Sequence, residues 1–303
     1  MISSSNHCIQ NLVICIPAHN PSQELVNALK SIDTHVRAWC RDQNIICTLL
    51  ITNSGVPINI NGYWQGDFKI FKVPSHFYWS AAVQFLFTQA KSFNPTHILL
   101  MNHDILAEST SFLEIVELLS KYPKAVISSI SVTSRDRIIE NAGFLYKNGA
   151  LPFSNPYCEK PCKSLPKEPY QVDSLNGRFV LFPVEAANPN FLVPHLVPHY
   201  FADTLLSANA RRNGFSLVIA PKSIIFSAQH DTEFKRSRQR CDTLQGLFRC
   251  LFTPYSYRYI WGGFWGQLML ADNFILGVII SIKYTSGRII KSFLEYFGII
   301  TPL

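Results

Sequence analysis

The sequence predicts an α/β protein built on a mostly parallel sheet flanked by helices, with a helical extension towards its C-terminus. Three observations predict it. Apolar runs of strand length occur at Leu12–Ile16, Ile45–Thr52, Phe68–Val73 and in the first half of His97–Ile105, up to Asn102, and such runs without alternation describe strands buried on both faces. Segments with helical spacing follow the first, third and fourth runs, and strands alternating with helices close into a parallel, right-handed sheet. The runs also stop abruptly on polar residues, most sharply at Asn102, His103 and Asp104. In open α/β sheets that edge faces the ligand crevice.

Taken in order, the first run leads into Pro17, Ala18, His19, Asn20 and Pro21, a turn after which Ser22 caps a helix with Leu25, Leu29 and Ile32 on one stripe. The second closes on Asn53, Ser54 and Gly55. After the third, Trp79 to Lys91 carries Ala82, Phe85, Leu86 and Ala90 at helical spacing. Beyond Asp104, Ser111 and Glu114 form a capping box ahead of the apolar face Phe112, Ile115, Val116 and Leu119. Ala125–Val132 reads as a strand, and Asn148-Gly149 as a tight turn. Five prolines between Leu151 and Tyr170, without periodicity, predict an exposed loop that serves as a lid or faces an acceptor. Gly177 and Arg178 lead the strand Phe179–Phe182. A helix over Tyr200–Asn213 stops at Gly214. Two short strands, Ser216–Ala220 and Ser223–Phe226, end near His230.

The 303 residues suffice for a full core, and 48% hydrophobic against 16% charged residues excludes a disordered chain. The formal charge is +7, of which +4 falls from Asp231 onward, with nine Lys or Arg against five Asp or Glu. A basic segment attracts phosphate in nucleic acid, anionic lipid or a phosphorylated substrate. The N-terminus lacks the charged start and apolar run of a signal peptide, so a cytoplasmic protein with free thiols is expected. Cys158 and Cys162 form a lone C-x3-C with no second pair, which reads as thiols and not as a zinc site. Phe274–Ile282 is too short to span a bilayer, which takes about 20 apolar residues.

Several motifs, in order between Leu12 and His230, resemble those of the family 2 glycosyltransferases. These are inverting enzymes of the GT-A fold, a Rossmann-like sheet that binds nucleotide sugars; rhamnosyltransferase-like and polysaccharide-assembly members look closest. VICIPAHN, Val13 to Asn20, is similar to the opening strand and turn that meet the nucleotide, which implies donor contacts at Pro17, Ala18, His19 and Asn20. ITNSG, Ile51 to Gly55, resembles the base-contacting segment and implies Thr52, Asn53 and Ser54; relatives more often have an Asp here. FYWSAAVQF, Phe77 to Phe85, lacks the glycines of the related segment, but Gln84 stands where an Asn occurs. Asn102-His103-Asp104 resembles the D-x-D signature in an N-x-D form. The resemblance implies that Asp104 holds a divalent metal, Mn2+ or Mg2+, against the donor diphosphate, with Asn102 and His103 beside it. Gly177 and Arg178 resemble the segment below the donor sugar. HYFADTLLSANARRNG, His199 to Gly214, resembles the acceptor-side helix, which makes Asp203, its only acid, the catalytic base. His230 stands where a late histidine completes the metal site.

The expected protein is therefore a hexosyl- or rhamnosyltransferase acting on a glycan or lipid-linked acceptor in cell-surface polysaccharide synthesis. Residues 1–230 would form its catalytic domain and 231–303 a basic, aromatic-rich helical region. The alternative is a glycosyltransferase-like protein that binds nucleotide or glycan without catalysis, suggested by the acids missing at Asn102, Thr52 and Asn53. Arg236, Arg238, Arg240 and Arg249 beside many aromatics also fit nucleic acid, but no recognition motif accompanies them and none is expected to bind. The last region reads either as a helical hairpin packed on the catalytic domain or as a peripheral contact with the inner membrane face. Oligomeric state is left open.

Overall fold

A computed structural model describes residues 9–19, 23–134, 136–147, 150–227 and 243–300. The first strand, β1 (Asn11–Ala18), is buried along almost its whole length, as a parallel strand with helices on both sides must be. Helix α1 (Gln23–Ile32) buries Leu25, Ala28, Leu29 and Ile32, then runs through a π-helical turn, Asp33–Arg37, into α2 (Ala38–Asp42). Strands β2 (Ile46–Asn53) and β3 (Asp67–Lys72) follow, the latter at the sheet edge and largely exposed. Helix α3 (Trp79–Ala90) crosses to β4 (His97–Met101). The apolar run ends at Met101, where the sequence breaks it: Asn102–Asp104 form a turn, and β5 (Ile105–Ala107) leaves to pair with a distant strand.

Helix α4 (Ser111–Leu118) starts without the predicted capping box. Thr110 is its N-cap and makes no side-chain cap bond, while the Ser111 hydroxyl donates to the Ile224 carbonyl. A tertiary acceptor won over the local one. Next come β6 (Val126–Val132), β7 (Ile139–Asn141), and a two-stranded hairpin, β8 (Leu145–Lys147) with β9 (Ala150–Ser154). The predicted turn at Asn148-Gly149 lies outside the described residues. The segment expected as an exposed loop over 151–170 is more ordered than its prolines suggested. It supplies β9, and Tyr157, Cys162, Leu165 and Tyr170 pack against the core. Cys158 and Cys162 are free thiols hydrogen-bonded to the Glu140 and Arg137 carbonyls.

Strand β10 (Tyr170–Gln171) leads to β11 (Phe179–Pro183), helix α5 (Ala202–Arg212) and β12 (Leu217–Ser227). The two short strands expected near residues 216–226 are one strand, with a bulge between Ala220 and Ile224. Three helices end the described chain: α6 (Leu244–Phe252), α7 (Ile260–Leu270) and α8 (Phe274–Tyr296). The main sheet has the order β10-β12-β6-β11-β4-β1-β2-β3. Its pairs β1/β2, β1/β4, β2/β3 and β6/β12 are parallel, whereas β11 lies antiparallel between β4 and β6.

Alternation along β4 shows how the sheet divides two cores. Ile98 and Leu100 face α3 and α5 with Val83, Phe87 and Leu205; Leu99 and Met101 face α1 and α4 with Leu29 and Phe112. Leu270 of α7 joins the first of these cores, so the C-terminal helices share it with the sheet.

Candidate active site

The β1, β2 and β4 strands all end at the same sheet edge, and because β11 runs the other way it begins there. Residues far apart in the chain therefore meet. In register, Pro17 pairs with Thr52 and Ala18 with Asn53. The Ser54 amide donates to the Ala18 carbonyl over 3.2 Å, and His19 Nδ1 lies 2.8 Å from Ser54 Oγ. Burial, followed by the nearby His103, lowers the His19 pKa. His19 and His103 thus share one neighbourhood, at the ends of β1 and β4.

On the other side of the turn, the Asn102 amide donates to the Arg178 carbonyl at 2.9 Å, and Trp79 Nε1 donates to Asn102 Oδ1 at 3.0 Å. The Gly177 amide donates to Asp203 Oδ2 at 3.2 Å; the Thr204 amide donates to Oδ1 at 2.8 Å. A Cβ at position 177 would lie 2.5 Å from Trp79 Cζ2 and 3.0 Å from Asp203 Cβ. Only glycine fits between them. Trp79, Asn102, Gly177 and Asp203 are thereby linked through the Arg178 backbone.

Asp203 sits in the first turn of α5, and burial raises its pKa against the opposing pull of the two amides and Arg178. A carboxylate so placed is more basic than one in water. Phe201, two residues earlier, holds a left-handed conformation at φ +71°. It is packed by Gly266 of α7, where a Cβ would come within 2.9 Å, and by Tyr284 of α8 at 5.8 Å between rings. The C-terminal helices thus fix the backbone that presents Asp203, and strain of this kind persists only where packing over-determines it.

Asp104 is 6% exposed, and its Oδ2 has no hydrogen-bond partner. A buried carboxylate oxygen left without a donor is costly, and a cation satisfies it. The residue therefore fits a divalent metal, although among the described residues no group of three His, Cys, Asp or Glu surrounds it. His230 and Asn20 lie outside the described residues.

Several expected site residues spend their side chains elsewhere. Thr52 is fully buried, and Asn53 bonds its own turn, donating to the Val56 carbonyl and accepting from the Gly55 amide. Gln84 donates to the carbonyls of Pro189 and Leu192, tying α3 to that loop. Arg178 forms an ion pair with Glu140 and donates to Ser131 at 2.7 Å. Sequence reading left out Glu140, and it left out Tyr255, whose ring stands 5.7 Å from His19, 4.6 Å from Tyr78 and 5.4 Å from His199. Neither carries a local signal, because each comes from an element remote in sequence. Trp79 was visible within FYWSAAVQF, but nothing local decided between core and site.

Comparison with solved structures places this arrangement in a known architecture. A crystal structure of GalNAc-T7 with UDP, GalNAc and Mn2+ superposes with a TM-score of 0.52 at 12% identity, over 96% of this chain and 57% of that one. TarS of S. aureus gives 0.53 at 9% identity over 93% of this chain and 54% of that one, and its fragment 1-349 gives 0.54 at 10% over 93% and 89%. The fold is of the GT-A type. The chain spans little more than half the length of GalNAc-T7 and of full TarS. No protein-family model matches the sequence, and no curated protein matches it either. The Asp104 turn lies at the sheet edge shared by the ends of β1, β2 and β4.

Proposed function

We propose that the chain is a family 2-like inverting glycosyltransferase that moves a hexosyl or rhamnosyl unit from a nucleotide-sugar donor to a glycan or lipid-linked acceptor in cell-surface polysaccharide assembly. The observation that carries the reading is the set of bonds from Trp79 to Asn102, from Asn102 to Arg178 and from the adjacent Gly177 to Asp203, beside the buried, unsatisfied carboxylate oxygen of Asp104. The GT-A fold supports it, as does the neighbour crystallised with UDP, GalNAc and Mn2+.

In this reading Pro17, Ala18, His19, Asn20 and Ser54 contact the nucleotide, with Thr52 and Asn53 shaping the turn that carries Ser54, and Asn102 and His103 next to the ribose and diphosphate. Asp104, joined by His230, would hold a Mn2+ or Mg2+ ion, which when bound offsets the charge of the diphosphate. Gly177 and Arg178 lie below the sugar. Asp203 accepts the proton of the acceptor hydroxyl. The freed oxygen forms a bond to the anomeric carbon as the bond to the diphosphate breaks on the opposite face, so the configuration inverts. Residues 1–230 carry this chemistry, in the cytoplasm, and the later helices brace Asp203 through Phe201.

The deciding experiment is a panel of nucleotide sugars screened with manganese for thermal stabilisation, then for transfer or slow donor hydrolysis. A ligand at a hundredfold excess over its Kd stabilises by about 2.7 kcal/mol. Binding without any turnover would favour the second reading, a catalytically silent relative, for which the internal bonding of Asn53 and the burial of Thr52 speak. No binding of any nucleotide would sink both transferase and donor-site assignments.

A further inference from the structure

Helix α8 is apolar on two sides. The side it packs against the protein carries Ile280, Tyr284, Ile289 and Tyr296 among the small or polar Gly277, Ser281, Ser292 and Glu295, whereas Ile275, Ile279, Ile282, Ile290, Phe293 and Phe297 point to the surface. Ile279 and Ile290 are each 58% exposed. A surface helix of a globular protein keeps its outward side polar. The outward residues follow one another at three- and four-residue steps, with Ser286 in the middle, so they form one stripe along the helix. The neighbouring α6, which packs on α8 through Leu247, Leu251 and Ile289, adds outward Leu244, Phe248 and Phe252, each more than half exposed. An apolar surface of that extent marks a contact site.

The charges say what it contacts. Over residues 243–300 the two acids are both engaged by arginines, Asp272 by Arg212 and Glu295 by Arg258. Arg249 and Lys283 are exposed, and the half-buried Lys291 directly follows Ile290 of the stripe. From residue 231 the sequence carries nine basic residues against five acids. Two copies meeting through this face would bring like charges together on a chain already at +7. An anionic surface meets the same face with attraction. No helix among the described residues is long and apolar enough to cross a bilayer, so the stripe suits a helix lying in the interface plane.

We infer that α6 and α8 form a docking surface for an anionic lipid bilayer, with the Ile and Phe stripe inserted among acyl chains and Lys283 and Lys291 at the headgroups. The inference does not rest on the transferase reading. The test is flotation of the full chain, without any sugar nucleotide, on vesicles of phosphatidylglycerol in phosphatidylcholine and on phosphatidylcholine alone. The protein should float with the anionic vesicles and be released at high salt. Lys283→Gln with Lys291→Gln should weaken partitioning by roughly thirtyfold, at about fivefold per lysine. Ile279→Ser with Phe293→Ser should weaken it by about tenfold or more while the far-ultraviolet circular dichroism stays that of the parent, since Ile279 is 58% and Phe293 42% exposed. Absence of flotation, or variants that float like the parent, would overturn the proposal. So would a concentration-dependent dimer that Ile279→Ser with Phe293→Ser dissociates while no vesicle is bound, which would assign the face to a second copy.

Discussion

At the scale of single residues, two carboxylates differ in surroundings and therefore in role. Asp203 accepts two backbone amides, whereas Asp104 keeps a buried oxygen without a donor. Asp203→Asn is close to isosteric and keeps one of the two acceptor oxygens that the Gly177 and Thr204 amides use, so donor binding should survive while transfer falls by about 10² to 10⁴, the usual worth of a positioned base. Unchanged turnover in that variant would remove Asp203 from the mechanism. Asp104→Ala should erase any manganese dependence of donor affinity, read by calorimetry with and without the ion; equal dependence in parent and variant would relocate the metal. Gly177→Ala drives a methyl into Trp79 and Asp203. Overpacking of this kind costs about 1 to 3 kcal/mol, or roughly 2 to 10 °C in Tm. Trp79→Leu in the same chain should recover part of the loss, and strict additivity of the two changes would deny the contact. The acidic character of Asp104 and Asp203 was legible in the sequence, as was the glycine. That Trp79 makes the glycine necessary was not, because the two positions are joined only across the β4–β11 pairing.

Among the elements, α8 is held to the molecule by a buried ion pair as well as by the apolar contacts of Ile280, Tyr284, Ile289 and Tyr296. Arg258 reaches Glu295 Oε1 at 2.9 Å and Ser292 at 3.3 Å, and the Glu295 side chain is 1% exposed. Arg258→Met would strand a buried carboxylate, which costs about 3 to 5 kcal/mol. Arg258→Met with Glu295→Leu should regain most of it, and chemical denaturation of the three proteins decides; a single variant as stable as the parent would show the pair to be idle. A helical region beyond residue 231 was readable beforehand, but not which side of α8 faces inward, since both of its sides carry apolar residues. Capping failed as a guide at Ser111 for a related reason. Its hydroxyl found the Ile224 carbonyl, 113 residues away, in place of the local amide. The Pro-rich stretch after Leu151 gained order in the same way, through Tyr157 and Tyr170 packing on the core and on each other at 5.6 Å.

For the molecule as a whole, acid stability depends on histidines enclosed as neutral rings. Burial lowers His97 and His199 to about 4, from the 6.5 of a free imidazole. Below pH 6.5 the unfolded chain takes up protons that the folded one refuses, so stability present at neutral pH is lost as the pH falls towards 4. The loss should reach on the order of 2 to 3 kcal/mol per fully enclosed ring. Denaturation midpoints measured from pH 7 to 4 should show the decline, and His97→Leu, which removes one titrating group, should flatten it; an unaltered slope would exclude His97 as a source. Strand and helix alternation, the polar ends of β1, β2 and β4, and the order of the motifs were all determined by the sequence alone, because period and propensity are local properties. Tertiary structure alone decided the antiparallel insertion of β11, the route by which Gly177 meets Asp203, the bracing of Phe201 by the last helices, and the outward apolar face of α8. Each is a contact between segments far apart in the chain, and packing, not local pattern, selects such contacts.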